Sequence, residues 1–86
     1  MEQLRNQIDE LDREIVKLLA RRVRIAQELG RLKRSSGRPI VDEQREAQVI
    51  RNILAAGAAE HLAAAELEQL YREVIALCRN AQNPKA

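Results

Sequence analysis

The stretch from residue 2 to residue 34 reads EQLRNQIDELDREIVKLLARRVRIAQELGRLKR, and its apolar pattern decides the architecture. Leu4, Ile8, Leu11, Ile15, Leu18, Arg22, Ile25, Leu29 and Leu32 recur at alternating spacings of four and three, the seam of a helix packed along its length on another helix. No proline breaks the pattern, and no glycine does so before Gly30. The spacing predicts an all-α fold that opens on a helix over about 2–34, stopped by Ser35, Ser36, Gly37 and the Arg38-Pro39 pair. Such a helix is about 50 Å long, whereas a compact chain of 86 residues has a diameter of about 30 Å. It overhangs any subunit built around it. Cover from a second copy is therefore expected, and a two-fold dimer with antiparallel first helices is the simplest closed arrangement.

Outward from this helix, Asp42 suits the N-cap of a second one over about 42–57, carrying Arg45, Val49, Ile50, Ile53 and Leu54 and ending at Gly57 in a left-handed C′ position. After a short connection through His61, a third helix over about 63–82 carries Leu67, Leu70, Tyr71, Val74, Ile75 and Cys78 on one face. Pro84 lies just beyond, so the helix is expected to fray after Gln82 and leave Asn83 to Ala86 as a loose tail, or as the cut end of a longer, multidomain chain. One domain of three helices accounts for residues 1–86.

Composition agrees and excludes several functions. Apolar residues make up 45% of the chain, almost all Leu, Ile, Val and Ala, with Tyr71 the single aromatic, which is the palette of packed helices. A net charge of +2 does not imply a polyanionic partner, and without stacking aromatics a nucleic-acid binder is not expected. No run of membrane-spanning length occurs, and Cys78 has no second cysteine to pair with, so a cytoplasmic protein with no membrane association is expected. Nothing near His61 has metal-site spacing, and no metal or cofactor is expected.

Several polar residues break the helical pattern. Arg22 takes a seam position where burying a guanidinium costs several kcal/mol unless an anion meets it; either it snorkels to water or pairs locally, or it awaits a ligand. Lys33, eleven residues on, lies only about 20° round the helix and about 16 Å along it. The two long side chains can lean together on a small dianion, although a lysine near a helix C-terminus also answers the macrodipole. Arg5 lies about 42 Å from Lys33 on the same helix and cannot share its ligand. If two first helices pair antiparallel about residues 16 to 19, the partner subunit's Arg5 falls level with the stretch between Arg22 and Lys33. Arg45 stands in the first turn of the second helix, where the macrodipole prefers an acid. It either pairs with Asp42 or Glu46 or is directed at a bound anion. Gln82 continues the face of Tyr71, Val74 and Cys78, either solvated or donating into a pocket.

The order of these residues is similar to that of a known family. Leu4-Arg5, Ile8, Leu11-Asp12, Leu18-Leu19, Arg21-Arg22, Glu28-Leu29-Gly30, Lys33, Arg38-Pro39-Ile40, Asp42 and Arg45-Glu46 together resemble the all-helical (AroQ-type) chorismate mutases, over nearly the whole chain from Leu4 to Gln82. The resemblance implies an intertwined homodimer of three-helix subunits that rearranges chorismate to prephenate, each of its two sites borrowing one arginine from the other subunit. Carried onto this sequence, Arg22 and the partner subunit's Arg5 would clamp the two carboxylates, while Lys33 and Gln82 would act on the ether oxygen. Arg45 would add positive potential, Glu46 and the backbone at Asp42 would bind the ring hydroxyl, and Leu29 and Ile75 would supply apolar walls. Cys78 stands where relatives often place a serine that helps hold a carboxylate, and a thiol is the weaker donor. Two other functions fit the same resemblance: an isochorismate-pyruvate lyase on this scaffold, and a non-catalytic dimerisation or regulatory module fused to a shikimate-pathway enzyme.

Overall fold

The computed structural model describes residues 1–83, and three α-helices account for nearly all of them: α1 Glu2–Ser36, α2 Glu43–Ala59 and α3 Ala64–Ala81. α1 runs two residues past the expected stop because Ser35 and Ser36 direct their hydroxyls back to the Leu32 carbonyl, so they cap the last turn instead of leaving it. Gly37 then takes the left-handed conformation, φ 74°, and the Gly37 and Arg38 amides donate to the Arg34 and Lys33 carbonyls. Asp42 is the N-cap that the sequence suggested, its carboxylate accepting from the Arg45 amide at 3.0 Å. The third helix stops one residue short of the expected end, at Ala81, with Gln82 as its cap. Of the tail expected from Asn83 to Ala86, only Asn83 falls within the described residues.

The expected left-handed stop at Gly57 is corrected. α2 continues through Gly57 to Ala59, and the residue with positive φ in this connection is His61, φ 62°. Gly57 is buried, and a Cβ added to it would run into the Leu67 side chain of α3. Its missing side chain serves close helix packing, and the change of hand comes four residues later.

α3 packs on both other helices, whereas α1 and α2 do not pack on each other. The small core follows from this layout: Ala26 of α1, Ile50 of α2, and Ile75 and Cys78 of α3 are the buried apolar residues among those described. The molecule is a rod of 52 × 25 × 16 Å with a radius of gyration of 15.4 Å, against about 12 Å for a compact chain of this length. Every residue from Met1 to Leu18 is exposed, so half of α1 leaves the rest of the subunit behind. No helix among the described residues is long and apolar enough to cross a membrane.

Replacing Gly37 with alanine forces a Cβ into the left-handed region with no packing to gain, since no atom lies within 4 Å of that position. Urea unfolding is expected to show a loss of about 1 kcal/mol.

Candidate functional site

The gap between α1 and α2, floored by α3, is a cavity of about 240 Å³. Each helix contributes where its register turns polar residues inward. α1 sends Arg22, Leu29 and Lys33, α2 sends Arg45 and Glu46 after the Asp42 cap, and α3 sends Ile75, Cys78, Arg79 and Gln82. Of the ten site residues expected from the sequence, nine line this one cavity, and the tenth, Arg5, lies on the projecting part of α1 beside Glu2 at 3.5 Å.

The far end of the cavity is built around Gln82. Lys33 Nζ donates to Gln82 Oε1 at 2.8 Å and to the Ile40 carbonyl at 3.0 Å, so the loop after α1 and the end of α3 are tied to one ammonium. Because an ammonium has no acceptor, the oxygen of the Gln82 amide must face Lys33, which leaves its NH₂ free to donate elsewhere. Gly30 allows this approach: a Cβ there would fall 2.8 Å from Gln82 Cα and closer still to its carbonyl oxygen. That carbonyl also accepts from Arg34.

Arg22 shows how a guanidinium survives on the seam. It lies half-buried with its charge 5.5 Å from the centre of the Tyr71 ring, a cation–π contact that was not anticipated from the sequence. Burial works against its charge, but hydrogen bonding and charge interaction with Cys78, then with Tyr71, outweigh it and hold its pKa above the ordinary arginine value. Arg22 is thus fixed in the pocket wall and charged throughout the working pH range.

Of the two alternatives open for Arg45, the ion pair with Asp42 or Glu46 does not form. The side chain instead donates to Gln48 at 2.8 Å, one turn along α2. Glu46 is engaged by Arg79 of α3, whose Nε and Nη2 reach the two carboxylate oxygens at 2.9 and 3.1 Å. The hydrogen bond to Glu46, reinforced by its charge, holds the Arg79 pKa above the ordinary value. Arg79 was not among the site residues expected from the sequence, nor were the pocket residues Ile25, Ala26, Ile40 and Val49. For Arg79 a signal existed: it stands four residues after Ile75 and three before Gln82, on the same helical face.

A three-helix subunit whose helices hold four cations and two carboxylates around a small cavity defines an all-α protein with a net-cationic pocket. The chain belongs to the chorismate mutase type II family, whose model it matches over residues 4–83. It is 36% identical over 72 residues to the bifunctional chorismate mutase/prephenate dehydratase of Escherichia coli, covering 84% of this chain and 19% of that protein. The protein of the same description from Aquifex aeolicus is 31% identical over 81 residues, covering 91% of this chain and 22% of that one. A 3-dehydroquinate dehydratase of Pyrobaculum aerophilum is 33% identical over 79 residues, covering 92% of this chain and 23% of that one. The chain therefore spans about a fifth to a quarter of the length of these relatives. Among solved structures, a conserved hypothetical protein from Pyrococcus furiosus superposes with a TM-score of 0.78 at 29% identity, covering 95% of this chain and 93% of that one.

Gly30→Ala is expected to push the end of α3 off α1, because the obstructing atoms belong to backbone and cannot rotate away. A urea titration should register a loss of about 1–3 kcal/mol in spite of alanine's better helix propensity.

Proposed function

We propose that this chain is a chorismate mutase, rearranging chorismate to prephenate, and that it works as a homodimer in which the partner subunit's Arg5 completes each site. The observation that carries the reading is the convergence, from three helices, of Arg22, Lys33, Arg45 and Arg79 on one cavity against only Asp42 and Glu46. The surplus of two positive charges matches a substrate with two carboxylates. Arg22 and the partner subunit's Arg5 take those carboxylates and fold the enol-pyruvyl arm over the ring, which removes much of the entropic part of the barrier. Arg45 adds to the field they feel, and Cys78 stands next to Arg22 as a weak donor. Leu29 and Ile75 bound the ring, and Glu46 with the Asp42 backbone receives its hydroxyl.

The reaction is a concerted [3,3] shift in which one C–O bond breaks as one C–C bond forms, with no proton transferred. It needs neither nucleophile nor cofactor. What changes is the charge on the ether oxygen, which grows as the C–O bond lengthens. Lys33 and Gln82 serve this oxygen: the ammonium that orients the Gln82 amide leaves the amide NH₂ and one N–H of its own to donate to it. Donors already in place stabilise the transition state more than the ground state.

Three features support the second copy. The subunit exposes 7175 Å², about 2,000 Å² more than the roughly 5,200 Å² expected for a folded monomer of its mass, an excess on the scale of an obligate interface. That surface includes the seam residues Leu4, Ile8, Leu11, Ile15 and Leu18, each more than half exposed. Charge along α1 is also polarised: Glu2, Asp9, Glu10, Asp12 and Glu14 outnumber Arg5, Arg13 and Lys17 in its first half, whereas Arg21, Arg22, Arg24, Arg31, Lys33 and Arg34 face only Glu28 in its second. Antiparallel pairing lays one half on the other. The cavity of one subunit, about 240 Å³, falls a little below the roughly 300 Å³ at which small-molecule sites begin, in keeping with a wall supplied from elsewhere.

Lys33→Ala is expected to lower kcat by about two to three orders of magnitude in a prephenate assay while the sizing profile stays unchanged. Near-normal turnover, or pyruvate released from isochorismate in place of prephenate formed from chorismate, would overturn the reading. Mixing inactive Arg5→Ala and Lys33→Ala subunits should restore activity, because half of the sites in a heterodimer draw both residues from intact copies. Failure to recover after demonstrated subunit exchange would refute the shared site.

A further inference from the structure

Resting on the reading above, we infer that Arg79 is a positioning residue for substrate recognition, which holds Glu46 toward the ring hydroxyl and away from Lys33. Glu46 stands half-buried on α2, in a cavity that also holds Lys33, Arg22 and Arg45, with Asp42 one turn before it. A carboxylate in such company has several possible partners, and the nearest cation to win it decides what the pocket can do. If Glu46 turned to Lys33, it would neutralise the ammonium on which the ether oxygen depends and lose its own place at the hydroxyl.

Arg79 prevents this by geometry. Its fork meets both oxygens of Glu46, at 2.9 and 3.1 Å, which fixes the carboxylate in orientation as well as position. Each carboxylate oxygen keeps a second lone-pair direction, and so can still accept from a ligand hydroxyl. Lys33 meanwhile keeps its own acceptors, the Ile40 carbonyl and Gln82 Oε1. The cations thus divide the work: Arg79 takes Glu46, Arg45 takes Gln48, and Lys33 is left for the site. The pair also ties α3 to α2 across the cavity rim, so the carboxylate is set relative to Gln82, three residues further along α3.

Because Arg79 acts through Glu46, its removal should matter only while Glu46 is present. The test is a kinetic cycle on this chain with chorismate as the probe, comparing Arg79→Ala, Glu46→Ala and the double variant, with thermal melts and sizing run on each. The ring hydroxyl is not altered by the reaction, so its contact binds ground and transition states alike. Arg79→Ala should lower kcat/KM on the order of tenfold, chiefly through KM. The double variant should be no worse than Glu46→Ala alone, and Arg79→Lys, which keeps the charge but not the fork, should recover part of the loss. Multiplying losses in the double variant would overturn the inference by showing that Arg79 meets the substrate itself. A lowered melting temperature with unchanged KM would overturn it by reducing the pair to a structural tie. If the unaltered chain does not turn over chorismate, the proposed function and this inference fall together. If it does, and the losses multiply, only the inference falls.

Discussion

The approach of α3 to α1 at Gly30 is the contact on which the subunit turns. Two helices can come this close only where one of them has no side chain, and the backbone of Gln82 occupies the space that a methyl group would need. Everything at the far end of the cavity follows from that proximity. Lys33, three residues beyond Gly30, reaches the Gln82 amide and the Ile40 carbonyl together, while Arg34 holds the Gln82 carbonyl. α2 does not pack on α1, so its position relative to Lys33 is set through α3 and through the loop whose Ile40 carbonyl Lys33 holds. A displacement of α3 would move the donors of α3 and the carboxylate of α2 at once.

The electrostatics are arranged for a guest. Four cations around one small cavity repel one another, and the fold limits that cost by giving each a local partner of modest strength: the Tyr71 ring for Arg22, an amide oxygen each for Lys33 and Arg45, and the single strong pair at Arg79. Neutral acceptors orient the cations without cancelling their charge. The surplus potential is therefore available to a dianion, with little reorganisation when it enters. Chemistry that requires only a folded conformation and stabilisation of one growing negative charge is suited to such a site.

The helices were legible because their causes are local. The four-and-three repeat of α1 and the capping side chain of Asp42 act within a turn or two, and both ends could be read to within about two residues. Nine cavity-lining residues were also expected, but only Arg22, Lys33, Arg45 and Gln82 stood out as breaks in the helical pattern, whereas Leu29, Asp42, Glu46, Ile75 and Cys78 came from the resemblance to a known family. What escaped the sequence depends on contacts across helices. Gly57 looks like a stop signal until Leu67 of α3 is seen against it, and then it is a packing surface. Arg79 looks like an ordinary last-turn cation, one that answers the helix dipole, until Glu46 arrives from another element. Arg22 offered a choice between water and ligand, and the structure adds a third term, the face of the only aromatic ring in the chain.

The turn at His61 sets how that architecture yields. A non-glycine residue at φ 62° carries an unfavourable backbone energy of about 1 kcal/mol, and it sits in the connection between α2 and α3. Within the subunit α1 and α2 each rest on α3 alone, and of the two only α2 can leave it with relief of the strained turn. That relief favours outward movement of α2, which makes the second helix the breathing side of the cavity.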